Sequence, residues 1–335
     1  MSTAAIRRPR VGFLGVGWIG RHRMAAIRDA GAVEIAAVAD SSADALAAAL
    51  DTAPEARALP DLDALLNHGL DGVVIATPSA RHAAESIRAL EAGMAVFCQK
   101  PLGRTREENA AVVAAAERAD RLLGVDLSYR HTAGMRRLRD LVFAGELGTI
   151  HAIDLVFHNA YGPDKPWFYD RALSGGGCVI DLGIHLVDLA LWILGFPEVV
   201  AVNSDLFREG GRLAAGDNAV EDHALATLRV ADGAAIRLAC SWRAHAGRDA
   251  DISLSVFGTR GGATFRNTGG SFYDFTLERH DNTRCELLTA PPDAWGGRAA
   301  TDWADRLAAS PRFDPSIEPL LDVARAIDAI YAGGL

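Results

Sequence analysis

The sequence predicts two domains of different class: an α/β domain built on a doubly wound parallel sheet, then an α+β domain with a mainly antiparallel sheet. Three observations carry this. Short apolar runs alternate with helical stretches through about residue 127, and the first run opens into a G-x-G-x-x-G loop. Beyond that point strand-like runs follow one another with turn residues between them and few helices. A chain of 335 residues is long for one domain, and the change of pattern divides it into 1–127 and 128–335.

The first strand leads from Val11 into Gly15, Gly17 and Gly20. Gly15 permits the tight turn, Gly17 lets a pyrophosphate approach the backbone, and Gly20 lets the following helix pack close to the strand. Trp18, Ile19 and Gly20 form the first helical turn, whose N–H groups face outward and favour negative charge. A second strand, Val33 to Ala39, ends in Asp40, twenty residues beyond Gly20. A carboxylate there can accept hydrogen bonds from both hydroxyls of an adenosine ribose. A 2′-phosphate would meet the Asp40 charge, and Ser41 and Ser42 follow where an arginine would be needed to offset it. NAD is therefore expected and NADP disfavoured. The alternative is that Asp40 only caps a helix beginning near Ala43.

Helices are expected over Ala43 to Leu50 and Leu62 to Leu66, then a buried strand over Gly72 to Ala76, stopped by Thr77-Pro78. Ser79 can cap a helix to Ala92 that Gly93 ends; Ala95 to Cys98 is the next strand. Thr105 with Glu108 resembles a capping box for a helix through Ala119, followed by a strand over Leu122 to Leu127. In the second domain, helices are expected over Met135 to Phe143 and, after Gly175-Gly-Gly177, over Ile184 to Leu194. Strands are expected over Ile150 to Phe157, Val199 to Val202, Ala224 to Val230, Ala235 to Cys240, Ile252 to Phe257 and Ala263 to Phe265. A last helix, Ile317 to Tyr331, presents Leu320, Leu321, Ala324, Ile327 and Ile330 inward, and is placed to return to the first domain.

Half the residues are hydrophobic, and a net charge of -9 provides no basic field for nucleic acid or an anionic membrane, so a small-molecule partner is expected. Four cysteines without a C-x-x-C pair suggest reduced thiols in a cytoplasm, with neither a zinc site nor a disulfide framework. No apolar stretch is expected to reach the length that crosses a bilayer.

Ligands of open parallel sheets bind beyond the carboxyl ends of the strands. Besides the glycine loop, this singles out Thr77-Pro78-Ser79 with His82, and Cys98-Gln99-Lys100-Pro101. Lys100, fixed between a buried strand and Pro101, can hold its ammonium beside a developing alkoxide; the alternative is an ordinary exposed lysine at a strand end. Asp181 and His185 are four residues apart, a spacing that puts both on one face of a helix entering from the glycine run. The carboxylate would orient the imidazole, which could then take a hydroxyl proton. The competing readings are an N-cap aspartate with a core histidine, or metal ligands, although no third ligand stands at suitable spacing.

With these residues in place the chain resembles the Gfo/Idh/MocA family, named for glucose-fructose oxidoreductase, inositol dehydrogenase and rhizopine catabolism. The resemblance covers nearly the full length. It rests on the glycine loop with Asp40, Thr77-Pro78-Ser79 through His82, Lys100-Pro101, Tyr129-Arg130, Gly175 to Asp188, and the ending Ile327-Asp-Ala-Ile-Tyr331. It implies a Rossmann domain followed by a domain with a large open-faced sheet that often forms the subunit interface, hence a homodimer or homotetramer. It also implies catalysis by Lys100, Asp181 and His185, with Thr77, Pro78, His82 and Gln99 on the cofactor side. Arg130, Asn159, Trp167 and the segment Trp242 to His245 would line the substrate side. Gln99 stands where the family's Glu-Lys-Pro motif has its glutamate. The implied activity is NAD-dependent oxidation of a secondary alcohol of a sugar, sugar acid, aminosugar or cyclitol; the alternatives are a non-catalytic dinucleotide sensor and an NADPH-dependent keto-sugar reductase.

Overall fold

The computed structural model describes residues 7–214 and 217–334. It divides into two compact units: the first comprises residues up to Gly103, Glu107–Asp126 and Gly296–Glu318, and the second Arg104–Arg106, Leu127–Trp295 and the residues from Pro319 onward.

The first unit is a six-stranded sheet of β1 (Arg10–Leu14), β2 (Glu34–Ala39), β3 (Arg57–Leu59), β4 (Gly72–Ile75), β5 (Ala95–Cys98) and β6 (Leu123–Val125). All neighbours are parallel, in the order β3-β2-β1-β4-β5-β6. β1, β4 and β5 are almost wholly buried, as strands covered on both faces must be. The strand order reverses between β1 and β4, so the glycine loop after β1 stands at the switch point of the doubly wound sheet. The helices are α1 (Trp18–Ala30), α2 (Ala43–Thr52), α3 (Leu62–Leu66), α4 (Ser79–Glu91) and α5 (Arg106–Ala119). Ser79 is the first residue of α4 and not its cap; that position falls to Pro78, which bonds no helix amide through its side chain.

A helix far along the chain also belongs here. Counting along the sequence it is α9 (Arg298–Ala309), and it buries Ala299, Ala300, Trp303, Ala304 and Leu307 in the core of the parallel sheet. Two strand glycines make room for it: a Cβ at Gly72 would come within 2.9 Å of Leu307, and one at Gly124 within 2.8 Å of Trp303. Gly296–Glu318, which the sequence reading leaves with the second domain, therefore groups with the first.

The second unit carries nine strands: β7 (Ile150–Asn159), β8 (Val199–Arg208), β9 (Gly211–Arg212), β10 (His223–Val230), β11 (Ala235–Ser241), β12 (Ala250–Gly258), β13 (Gly262–Asn267), β14 (Phe275–Asp281) and β15 (Arg284–Thr289). Their order is β15-β14-β13-β12-β7-β11-β10-β8-β9, antiparallel except between β7 and β11. Helices α6 (Ala133–Phe143), α8 (Ile184–Leu194) and α10 (Leu320–Tyr331) pack on the sheet, and a short α7 (Arg171–Ser174) precedes the glycine run. One face of β10 is buried through Ala224, Ala226 and Leu228 while Leu225, Thr227 and Arg229 are exposed, the alternation of a sheet covered on one side.

α10 starts three residues later than expected because Pro315–Ile317 forms a separate 3-10 turn. Its buried face, Leu320, Val323, Ala324, Ile327 and Ile330, packs on α8 and β8 within the second unit; Leu321 is only half-buried. The expectation about bilayer-length stretches also changes. Arg171–Leu194 is a helical run of 24 residues, long and apolar enough to cross a membrane by length and composition, but 83% of its most apolar window is buried within the protein. It is apolar because it is surrounded by the core of its unit.

Candidate functional site

In the first unit the glycine loop has three distinct steric roles. Gly15 has φ +84°, and a Cβ there would lie 2.6 Å from the Ala76 carbonyl; a Cβ at Gly20 would lie 2.2 Å from Gly15 O. Around Gly17 nothing among the described residues comes within 4 Å of a Cβ. The first two glycines thus serve close packing of the protein on itself, while the space over Gly17 remains for another molecule to approach. α1 begins after Gly17 with no side-chain cap, and its first internal bond runs from Arg21 N to Gly17 O at 3.0 Å. The amides of Trp18, Ile19 and Gly20 precede that bond at the positive end of the helix. The Trp18 indole is 61% exposed.

Asp40 is oriented by two backbone amides, accepting from Val16 N at 2.7 Å and from Ser42 N at 2.8 Å. The cap of α2 is Ser42, whose hydroxyl accepts from Ala45 N. Asp40 is therefore not the helix cap; it ties the end of β2 to the glycine loop and holds its carboxylate beside it. Ser41, the residue between, is exposed. Open space over Gly17, uncapped amides and an oriented acid fit a dinucleotide.

The other expected cofactor-side residues divide differently. His82 is 2% exposed, with Nδ1 2.7 Å from Pro101 O and Nε2 2.6 Å from Thr77 O. Both ring nitrogens lie against carbonyls, and His82 joins the Thr77-Pro78 corner to the Lys100-Pro101 corner. Burial pushes its pKa down, opposed by those carbonyls and by Glu85. Thr77 Oγ1 donates to Glu85 at 2.5 Å. Lys100, at the mouth of β5, is half-buried and its corner is held by this clip.

Gln99 is also internal. Its amide donates to Asp126 Oδ2, which Arg23 Nε reaches at 2.6 Å. Asp126 is 1% exposed. A glutamate at 99 would place a second carboxylate against the first, whereas the amide supplies a donor. The departure from the family motif is thus matched by an acid at the end of the neighbouring strand, a partner that no local spacing in the sequence reveals.

In the second unit the glycine run leads into a helix whose first turn is a π turn, Val179–Gly183, continuing as α8. Asp181 lies within that turn, so it is not an N-cap; its Oδ2 accepts from Trp242 Nε1 at 3.0 Å. His185 is 7% exposed, edge-on to Tyr129 with ring centroids 4.9 Å apart and 6.3 Å from the Phe157 ring. Arg130, expected to face substrate, instead pairs through both guanidinium arms with Asp188, which is 1% exposed. It also lies over the Trp192 and Phe196 rings. Burial raises the Asp188 pKa and Arg130 opposes that rise.

Asn159 ends β7 with a buried Oδ1 that finds no hydrogen-bond partner among the described residues. Trp167 stacks on Phe168 at 3.8 Å, and Phe168 meets Trp242 edge-on at 6.3 Å.

Glu221, which the sequence reading leaves out, and Tyr331, which it names only within the closing motif, stand behind this site. The fully buried Glu221 accepts from the amides of Gly177 and Val179 and from the Tyr331 hydroxyl, each at about 2.9 Å. Burial raises its pKa and those donors pull it back.

The comparisons with known proteins agree with this geometry. Residues 9–127 match the family model described as "Oxidoreductase family, NAD-binding Rossmann fold", and residues 135–264 match "GFO/IDH/MocA C-terminal domain". D-glucoside 3-dehydrogenase of Escherichia coli is 31% identical over 58% of this chain, and the chain spans 58% of that relative's length. Inositol 2-dehydrogenase 1 of Mycolicibacterium vanbaalenii is 30% identical over 87% of this chain and 90% of its own. Among solved structures, GenD2 from gentamicin A biosynthesis, in complex with NAD, is 26% identical with a TM-score of 0.81, covering 100% of this chain and 98% of that one. With both halves matched and a relative aligned over most of either chain, the protein belongs to the Gfo/Idh/MocA family of oxidoreductases.

Proposed function

We propose that the protein is an NAD-dependent dehydrogenase acting on a secondary alcohol of a sugar, sugar acid, aminosugar or cyclitol. The single observation that carries the cofactor half is the oriented Asp40 carboxylate beside the open space over Gly17. Asp40 favours ribose hydroxyls over a 2′-phosphate, which argues for NAD. The named activities of the relatives, a glucoside dehydrogenase and an inositol dehydrogenase, support the substrate class.

The glycine loop, the amides of Trp18, Ile19 and Gly20, and Asp40 would hold the dinucleotide, which supplies the two-electron acceptor when bound. His185 is assigned the proton of the substrate hydroxyl. Its ring is fixed by Tyr129 and Phe157 and largely withdrawn from water, which suits a base working on one oriented hydroxyl. Asp181, held by Trp242 and four residues before His185, is assigned the orientation of the imidazole. Lys100 is assigned the substrate oxygen, where a fixed ammonium stabilises developing negative charge. Asn159 and Trp167 are assigned to substrate hydroxyls and the sugar face. The uncovered face of the nine-stranded sheet exposes Leu225 and Phe257, each 44% accessible, and association of copies through that face is part of the reading.

His185→Ala tests the assignment. Turnover is expected to fall by at least about a hundred-fold while the Kd for NAD stays within two-fold of about the wild-type value. Loss of NAD binding, or retained turnover, would remove His185 from its role.

A further inference from the structure

The first four amides of a helix have no partner within it and must find one elsewhere. In the helix bearing Asp181 and His185 these are Gly177, Cys178, Val179 and Ile180, since Asp181 N makes the first internal bond, to Gly177 O at 3.1 Å. All four are taken by two residues. Gly177 N donates to both Glu221 carboxylate oxygens at 2.9 and 3.0 Å, Val179 N to Oε1 at 2.9 Å, and Cys178 N to the Glu221 carbonyl at 3.1 Å. Ile180 N donates to the Tyr331 hydroxyl at 3.2 Å, and that hydroxyl donates on to Glu221 Oε1 at 2.9 Å.

The glycine run exists for this approach. A Cβ at Gly177 would lie 1.9 Å from the Glu221 carbonyl oxygen, and one at Gly176 would lie 1.9 Å from the Tyr331 hydroxyl. Neither contact leaves room for a side chain. The ring of bonds then closes on the site: Trp242 N donates to Asp222 O at 2.7 Å, next to Glu221, and the Trp242 indole holds Asp181. One short segment, Glu221-Asp222, therefore sets both the start of the helix and the group that orients its acid.

We infer that Glu221 and Tyr331 are positioning residues for the Asp181–His185 pair, so that α10, through its last residue, sets the alignment of the acid-base element. This rests on the dehydrogenase reading above for the reaction it serves. A carboxylate at a helix N-terminus also complements the dipole, but the inference stands on the four amides and the two glycine contacts.

The test uses the full-length protein with Glu221→Gln, Tyr331→Phe and, as control, Ser204→Ala. Glu221→Gln turns one acceptor oxygen into a donor facing amide N–H groups. Tyr331→Phe, the milder change, removes only the hydroxyl. Ser204 Oγ donates to Ile330 O at 2.6 Å, so Ser204→Ala loosens the same helix without touching the amides. Two readouts are taken: hydrogen exchange of the peptide covering residues 175–185, and kcat and KM for NAD with whichever polyol the wild type oxidises. In both clamp variants, exchange is expected to accelerate by about ten-fold or more. kcat is expected to fall by about ten-fold with KM for NAD unchanged, while Ser204→Ala leaves both readouts near wild type. Unchanged exchange in Tyr331→Phe, or faster exchange with wild-type kcat, overturns the inference. If the wild type oxidises no polyol, the dehydrogenase reading falls by itself and the exchange arm alone decides the clamp.

Discussion

Gly17→Ala and Gly20→Ala separate the two roles of the glycine loop. At Gly20 the added methyl would lie 2.2 Å from Gly15 O, a backbone atom that cannot swing away. Overpacking of this kind destabilises by about 1–3 kcal/mol, which in a chain of this size lowers Tm by about 1–4 °C. At Gly17 the methyl meets no atom of the described residues within 4 Å, and φ of -59° suits alanine. Alanine reduces unfolded-state entropy, worth about 0.4–1 kcal/mol, offset by its poor capping, so Tm should stay within about 2 °C of wild type. The same methyl occupies the space a pyrophosphate needs, and a loss of at least about ten-fold in NAD affinity follows, equal to about 1.4 kcal/mol. Calorimetric unfolding and titration of NAD into each variant read the two effects separately. Wild-type NAD affinity in a stably folded Gly17→Ala protein would refute the placement of the phosphates.

Arg130→Ala leaves the buried Asp188 without its partner, and should cost about 3–5 kcal/mol of stability; a variant with normal Tm but raised substrate KM would return Arg130 to the substrate. Gln99→Glu sets two carboxylates against each other beside Arg23 and should lower Tm at neutral pH by an amount that shrinks as the solution is acidified, since protonating either acid relieves the repulsion; equal Tm values across pH would contradict it. Burial and the stacked His223 lower the His158 pKa, so the folded state favours the neutral ring. The resulting stability is present above the ordinary histidine pKa and is lost as pH falls through the lowered value. Tm should therefore decline from pH 7 toward pH 5, and less steeply in His158→Asn; parallel declines in the two proteins would remove His158 as the cause.

The parts of the fold legible in the sequence are those with local signals. β1, β4 and β5 read as short apolar runs, and the glycine loop and Asp40 announce themselves by spacing alone. β14 and β15 do not, because residues such as Glu278, Arg279, Arg284 and Glu286 belong to strands near an edge, where water accepts polar side chains. α9 escapes for another reason: its buried face is mostly alanine and gains its place from Gly72 and Gly124 in distant strands. At the site, Asp181 and His185 could be found from their four-residue spacing. Their support could not, since Glu221 and Tyr331 reach the glycine run from 44 and more than 150 residues away. His82, Gln99 and Arg130 show the converse. Their types suit ligand contact, and only their partners, two carbonyls, Asp126 and Asp188, show that they hold the protein together.

The most direct test of the account is reduced-nicotinamide absorbance when the purified protein is offered NAD or NADP with a panel of sugars, sugar acids, aminosugars and inositols. NAD reduction by members of one class, with NADP a poorer acceptor, is the predicted result. Silence across the panel despite measured NAD binding, or a clear preference for NADP, would contradict the account.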